Sequence, residues 1–136
     1  MLPAYLECSL DAAHRYRADE LATLCPHDAA PLLVRYSVDE LSRSAVAARP
    51  WTMWRYREML PISEGEEPIS LGEGATPLVA LQHLQRELEL VDVFVKDESA
   101  NPTGSFKARG MSAAVTVAKR LGARSLVAPS AGNAGG

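Results

Sequence analysis

The chain has 136 residues, of which 47% are apolar and 23% charged, and its formal net charge is −3 at pH 7. This is an ordinary globular composition without the basic face that nucleic-acid binding requires, and no apolar run approaches the roughly 20 residues that span a bilayer. The N-terminus lacks the basic and apolar regions of a signal peptide. Cys8 and Cys25 are too few for a disulfide scaffold, so we expect a cytoplasmic protein with reduced thiols and without nucleic-acid or membrane partners.

The first 36 residues indicate a small module. Apolar stretches at residues 4–6 and 32–34 bracket a polar middle, which predicts a β-hairpin-like unit with a connecting loop. Residues 38–49 follow as a predicted short helix, because Pro50 cannot continue a helix.

Two contrasting segments complete the region 37–74. Residues 51–60 are rich in tryptophan, tyrosine and methionine, which suits an interface in a homo-oligomer as well as packing inside a core. Residues 61–74 contain prolines, glycines and the acidic run Glu64-Gly65-Glu66-Glu67, which predicts a solvated linker.

Residues 75–136 have the pattern of an α/β domain. The predicted elements are an amphipathic helix with leucines at 78, 81, 84 and 88, a strand at 91–95, a helix at 105–121 ended by Gly122, and a strand at 125–128. Strand, helix and strand in this order predict a parallel βαβ unit with a right-handed crossover. Ligands bind such sheets at the carboxyl ends of the strands, where the segments around Lys107 and Asn133 would meet.

Lys107 is the main candidate for a catalytic residue. Helical spacing places it on an otherwise apolar face, with the residues Met111, Ala114, Val115, Ala118 and Leu121. The opposite, solvent-facing side would carry Arg109, Ser112, Thr116, Lys119 and Arg120. Burial and the positive end of the helix dipole both favour a neutral amine, which is the form that makes a Schiff base. Spacing alone favours a lysine that extends to solvent, and only the neighbouring residues decide for the reactive amine.

Those neighbours carry a family resemblance. The run Asn101-Pro102-Thr103-Gly104-Ser105-Phe106-Lys107, within residues 96–110, resembles the cofactor-lysine segment of the fold-type II pyridoxal phosphate (PLP) enzymes. Residues 53–61, 71–78 and 130–133 are similar to further motifs of these enzymes in the same order. Within the superfamily the motifs look most like those of the threonine synthases.

The resemblance implies a fold and a set of roles. Residues 75–136 would begin a parallel-sheet domain similar to that of the tryptophan synthase β chain. Lys107 would form the Schiff base with PLP and move protons on the substrate, and Asn133 would hydrogen-bond the ring hydroxyl of the cofactor. Ser130 and Gly132 would bind the substrate carboxylate, in a loop that presents N–H groups to an anion.

The implied reaction converts O-phospho-L-homoserine and water into L-threonine and phosphate, so the partner would be a small amino-acid phosphate. A threonine or serine dehydratase-like ammonia-lyase is the alternative. Those relatives usually continue the asparagine with His-Ala, whereas Ala134-Gly135 follows here. A non-catalytic metal or interaction module is a third possibility.

The N-terminal module departs from its counterpart in longer relatives, which has two Cys-x-x-Cys knuckles of a zinc ribbon. Here the knuckles read Cys8-Ser9-Leu10-Asp11 and Cys25-Pro26-His27-Asp28, so each has aspartate in place of its second cysteine. Structural zinc sites prefer four cysteine or histidine ligands. We therefore predict a degenerate, metal-free module, although a site of two cysteines and two aspartates, or one completed by His14 or His27, is conceivable.

The C-terminus, Gly135-Gly136, follows a glycine-rich turn where an α/β protein would begin a helix. The phosphate-binding loop that the resemblance implies would lie downstream of Asn133, and these two glycines should not be taken for it. We expect the chain to be a fragment that is inactive alone.

Overall fold

The computed structural model describes residues 5–38 and 41–135. Its strands are β1 (Tyr5–Cys8), β2 (Arg15–Tyr16), β3 (Leu32–Arg35), β4 (Leu78–Ala80) and β5 (Phe94–Lys96). Its α-helices are α1 (Arg43–Ala47), α2 (Gln82–Glu87) and α3 (Lys107–Arg120), and two 3₁₀ helices span Met53–Met59 and Glu98–Ala100. None of the helices in these residues is long and apolar enough to cross a membrane.

The N-terminal module is a three-stranded antiparallel sheet in the order β2-β1-β3. Leu6 of β1 lies opposite both Tyr16 of β2 and Val34 of β3, so the two apolar stretches pair as predicted and the polar middle supplies a third short strand. Its small core consists of the buried residues Cys8, Cys25 and Ala30, with Tyr16 and Leu32 packed against them.

Helix α1 is shorter than the helix predicted for residues 38–49, part of which (39–40) lies outside the described residues. It begins at Ser42, whose hydroxyl accepts a hydrogen bond from the Ala45 amide at 3.0 Å. An N-terminal cap of this kind satisfies one of the amide groups that the first helical turn leaves without a partner.

The aromatic segment folds into 3₁₀ turns over Met53–Met59, interrupted by a kink at Tyr56, whose φ of −96° and ψ of 37° are not helical. Arg55, only 7% exposed, donates to the Val46 carbonyl at 2.7 Å and stacks over the Trp51 ring, with its guanidinium carbon 4.1 Å from the ring centroid. Trp51 and Tyr56 stay exposed, and their role in an oligomer interface stays a prediction.

The prediction of a solvated linker at residues 61–74 is only partly right: most of the segment, including Glu64 and Glu67, is exposed or half-buried, but two side chains are buried. Ile62 is 2% exposed and Glu73 is 3% exposed. The Ile69 backbone bonds to α3 at both of its polar atoms: its amide donates to Thr116 Oγ1 at 2.9 Å, and its carbonyl accepts from Ser112 Oγ at 2.7 Å. These partners come from a helix more than 40 residues away, which local composition cannot reveal.

The single helix predicted through Leu78, Leu81, Leu84 and Leu88 is also wrong. Residues 78–80 form β4, and α2 begins only at Gln82. Strand β4 pairs antiparallel with β5, with Val79 opposite Val95. Sheet pairing with a strand about 16 residues away therefore overrides the helical leucine spacing.

The parallel βαβ unit is not present in the described residues. The predicted strand at 91–95 is observed as β5, Phe94–Lys96, and its partner is the antiparallel β4. Residues 125–128 have no regular structure, and Val127 is 93% exposed. A parallel strand is held by its neighbours in a sheet, and in this part of the chain residues 125–128 pair with none.

Candidate functional site

The loop between β5 and α3 presents Lys107. Asp97 begins it by accepting a hydrogen bond from the Ser99 amide at 3.0 Å, and Gly104, at a φ of 68°, turns the chain toward the helix. Lys107 is the first residue of α3, and its side chain is exposed. Among the described residues its amine makes no hydrogen bond or ion pair.

The predicted orientation of α3 is wrong. Its buried residues are Ala108, Ser112 and Thr116, at four-residue spacing along one side of the helix. The sequence pattern predicts Ser112 and Thr116 to face solvent. Small side chains on this stripe let the backbone around Ile69 approach closely, and the two hydroxyls satisfy its polar atoms. The exposure of Lys107 follows from this rotation of the helix.

The apolar side of α3 faces the N-terminal module instead of the sheet. A groove of about 340 Å³ separates the two, and its walls include Leu6 and Val34 from the module and Val117 and Leu121 from the helix. Helix α3 is thus amphipathic as predicted, but its apolar side faces the N-terminal module and not a parallel sheet.

Asn133 lies against the lysine loop, as the sequence predicts. Its side-chain amide donates to the Thr103 carbonyl at 2.6 Å. A β-carbon added to Gly104 would lie 3.3 Å from the same amide nitrogen, so a glycine leaves room for this contact. The two loops that flank α3 therefore meet, although residues 125–128 form no strand.

Ser130 and Gly132 form a closed turn in the second loop. Ser130 Oγ donates to the Gly132 carbonyl at 2.7 Å and accepts from the Gly132 amide at 3.0 Å. The described residues that follow the turn, 133–135, are not helical. To bind a substrate carboxylate, the Gly132 amide would have to release its hydrogen bond to Ser130 Oγ.

An ion pair that the sequence did not reveal holds the start of α3. Arg109 donates to both carboxylate oxygens of Glu98, at 2.7 and 2.8 Å, and the Thr76 hydroxyl donates to the same carboxylate at 2.6 Å. The bonds from Arg109 and then Thr76 lower the pKa of Glu98 to about 2. Glu98 is thus a charged anchor in the lysine loop, and its partner Arg109 is a residue that the helical spacing predicts to face solvent.

Asn101 extends this anchor to the segment of residues 71–78. Its amide donates to Glu98 Oε2 at 2.9 Å, and its Oδ1 accepts from the Gly74 amide at 3.2 Å. Gly74 has a φ of 104°, and an added β-carbon would lie 2.4 Å from the Met53 nitrogen. One signal in the sequence could have pointed to this cluster. Glu98 and Asn101 closely follow a predicted strand, and Arg109 lies two residues after Lys107 in the chain.

Comparison with known proteins identifies the class. The family model described as pyridoxal-phosphate dependent enzyme matches residues 69–136, which is half of the chain. The chain therefore belongs to the pyridoxal-phosphate dependent enzyme family, and the α/β character of residues 69–136 and PLP as the family's cofactor follow from this match. No solved structure gave a significant match.

Similar curated proteins include three threonine synthases. The one from Methanocaldococcus jannaschii is 43% identical over 95 residues, which cover 70% of this chain and 24% of that protein. The one from Halalkalibacterium halodurans is 47% identical over 87 residues, covering 60% and 24%. The one from Methanosarcina acetivorans is 31% identical over 131 residues, covering 95% and 32%. The chain thus spans about a quarter to a third of the length of these relatives.

Proposed function

We propose that these residues belong to a threonine synthase, which converts O-phospho-L-homoserine and water into L-threonine and phosphate. The observation that carries the proposal is the free amine of Lys107 at the start of α3, in a loop that Asn133 contacts. The similarity to curated threonine synthases supports the choice of reaction.

The residues in the two loops suit the cofactor. Lys107 offers an accessible amine without a competing partner in the described chain, which is what an aldehyde cofactor requires. Asn133 donates one amide N–H to the Thr103 carbonyl, and its Oδ1 and second N–H would be available to a ring hydroxyl of the cofactor. When bound, PLP withdraws electrons from the substrate carbons next to the amino group.

The remaining roles are assigned to this chain's own groups. Lys107 would hold the cofactor and then move protons at Cα and Cβ of the substrate, while phosphate leaves from Cγ and water adds at Cβ. Ser130 and Gly132 would bind the substrate carboxylate. Glu98 and Arg109 would position Lys107, because their ion pair joins the loop that precedes Lys107 to helix α3.

A comparison of two lysines in the complete protein tests the proposal. We expect Lys107→Ala to abolish phosphate release from O-phospho-L-homoserine and to remove the visible absorbance of the lysine-bound cofactor. Lys119→Ala, a change in the same helix at another exposed lysine, should leave both unchanged.

Three outcomes would contradict the proposal. Phosphate release that survives Lys107→Ala would exclude this lysine. A complete protein that stays colourless after incubation with PLP would exclude the cofactor assignment. Formation of a keto acid from threonine, without phosphate release from phosphohomoserine, would assign the protein to the ammonia-lyases instead.

A further inference from the structure

Four side chains of the N-terminal module converge on one point. Cys8, His14, Cys25 and Asp28 each offer one ligand atom, and these atoms all lie within 4.8 Å of one another. Cys8 Sγ is 3.2 Å from Asp28 Oδ2, and Cys25 Sγ is 3.9 Å from His14 Nδ1. Ligand atoms around a tetrahedral zinc ion lie about 3.3–3.8 Å apart, given bonds of about 2.0–2.3 Å. The group has the dimensions of a metal site.

Two tight turns bring these side chains together. In the first, the Cys8 amide donates to the His14 carbonyl at 3.0 Å, which closes the turn between β1 and β2. In the second, the Cys25 amide donates to the Ala30 carbonyl at 2.9 Å and the Ala29 amide to the Cys25 carbonyl at 2.8 Å. Backbone hydrogen bonds therefore hold the ligand side chains in place, and the pairing of β1 with β3 sets Cys8 opposite Leu32, just after the second turn.

The second nitrogen of His14 faces a carboxylate beyond hydrogen-bond distance. Its Nδ1 faces Cys25, while its Nε2 lies 3.8 Å from Asp11 Oδ2. Metal-binding histidines usually present their far nitrogen to a carboxylate, which orients the ring and fixes its tautomer. Asp11 thus has the position of such an orienting carboxylate, in the place where the first knuckle lacks its second cysteine.

The other three ligand side chains have supporting hydrogen bonds. The Leu10 amide lies 3.4 Å from Cys8 Sγ, and the Tyr16 hydroxyl lies 3.1 Å from Cys25 Sγ. The Ala30 amide donates to Asp28 Oδ1 at 3.0 Å, which leaves Oδ2 directed at the sulfur of Cys8. N–H and O–H groups of this kind stabilise thiolate and carboxylate ligands.

The geometry points to a structural zinc site formed by Cys8, His14, Cys25 and Asp28. Two thiolates and an imidazole favour Zn²⁺ over Mg²⁺ or Ca²⁺, which prefer oxygen ligands. Four protein ligands close the coordination sphere, so the ion would stabilise the module without taking part in catalysis. This differs from the metal-free module that the sequence favours, because His14 lies outside both four-residue knuckles and joins the site only through the fold.

Zinc binding by the complete protein tests the site. The protein is purified with a thiol reductant, stripped with a chelator, and titrated with Zn²⁺ against a chromophoric competitor, with bound zinc counted by mass spectrometry of the metal. We expect one zinc ion per chain, and visible absorbance typical of tetrahedral thiolate coordination when Co²⁺ replaces it.

Variants at two histidines separate a metal site from a hydrogen-bonded core. His14→Gln should weaken zinc binding at least about tenfold, while His27→Gln should bind like the wild type. His27 is a suitable control because its ring stacks on His14 with centroids 4.1 Å apart but lies outside the cluster. Cys25→Ser should abolish zinc binding. If that variant fails to fold, the comparison of His14→Gln with His27→Gln still tests the site, because His14 is 31% exposed and its replacement should leave the fold intact.

The proposal is overturned if the reduced wild type binds no zinc in competition. It is also overturned if His14→Gln binds zinc as tightly as the wild type, or if His27→Gln loses the ion instead.

Discussion

Glu98 connects both sides of the lysine loop through a single carboxylate. It accepts hydrogen bonds from Arg109 in α3, from Thr76 in the preceding segment and from Asn101 within its own loop. Its side chain is 24% exposed, so the pair with Arg109 is only partly screened by water. The ion pair thus fixes the end of the helix at which Lys107 lies.

The lowered pKa of Glu98 predicts an acid-sensitive stability. Its pKa in the folded protein is about 2, below the ordinary value of 4.5. The stabilisation from its charge is therefore fully present above pH 4.5 and is lost as the pH falls toward 2. We expect Glu98→Gln to lower the free energy of unfolding by about 1–3 kcal/mol at neutral pH, measured by urea denaturation of the complete protein.

The difference between variant and wild type should shrink as the pH falls through this range. Glu87→Gln, at an exposed position in α2, is the matched control and should change little. A difference that stays constant down to pH 2 would show that the charge of Glu98 does not stabilise the fold.

Helix α3 illustrates why an element's limits are easier to predict than its orientation. Residues 105–121 read as a helix, and α3 spans Lys107–Arg120, because good helix formers and a stop at Gly122, which has a φ of 84°, are local signals. The buried side was assigned wrongly, because hydrophobicity ranks Ser112 and Thr116 as solvent-facing. Their burial depends on hydrogen bonds to the distant Ile69 backbone.

Two threonine substitutions measure that hydrogen bonding. Thr116 is 2% exposed, and its hydroxyl accepts from the Ile69 amide and donates to the Ser112 carbonyl at 2.8 Å. We expect Thr116→Val to lower the free energy of unfolding by about 1–3 kcal/mol, because it leaves the Ile69 amide without a partner.

Thr103→Val is the matched control, since the Thr103 hydroxyl is buried but has no hydrogen-bond partner in the described residues. It should be neutral or slightly stabilising in the same urea experiment. Equal losses in both variants would mean that the bond to Ile69 contributes nothing.

At the scale of the whole molecule, the chain has little core for its length. Every residue of β4 and β5 is exposed, and a two-stranded sheet is marginally stable in water. Large apolar side chains such as Leu78, Val91 and Val127 are more than half exposed. The chain also spans only 24% to 32% of the threonine synthases to which it is similar.

We therefore expect the 136-residue chain, expressed alone, to release no phosphate from O-phospho-L-homoserine and to melt at a lower temperature than the complete protein. Phosphate assays and circular dichroism of the two proteins at equal concentration provide the measurements. Turnover by the isolated chain would show that these residues suffice for the reaction.

The sequence by itself identified the residues that we propose to carry the chemistry. The cofactor-lysine motif around Lys107 and the loop of Asn133 are runs of consecutive residues, so they can be read without a fold. We also expect the two loops to meet, because the carboxyl ends of parallel strands lie at one edge of a sheet. The contact of Asn133 with Thr103 is present although residues 125–128 form no strand.

Only the tertiary structure decided which surfaces are buried and which distant side chains become partners. It rotated α3 onto Ile69, paired Glu98 with Arg109, replaced a leucine-rich helix with the antiparallel pair of β4 and β5, and brought His14 to Cys25. Each of these contacts joins residues well separated in the chain, and its free energy comes from polar atoms that satisfy one another only after the backbone has folded.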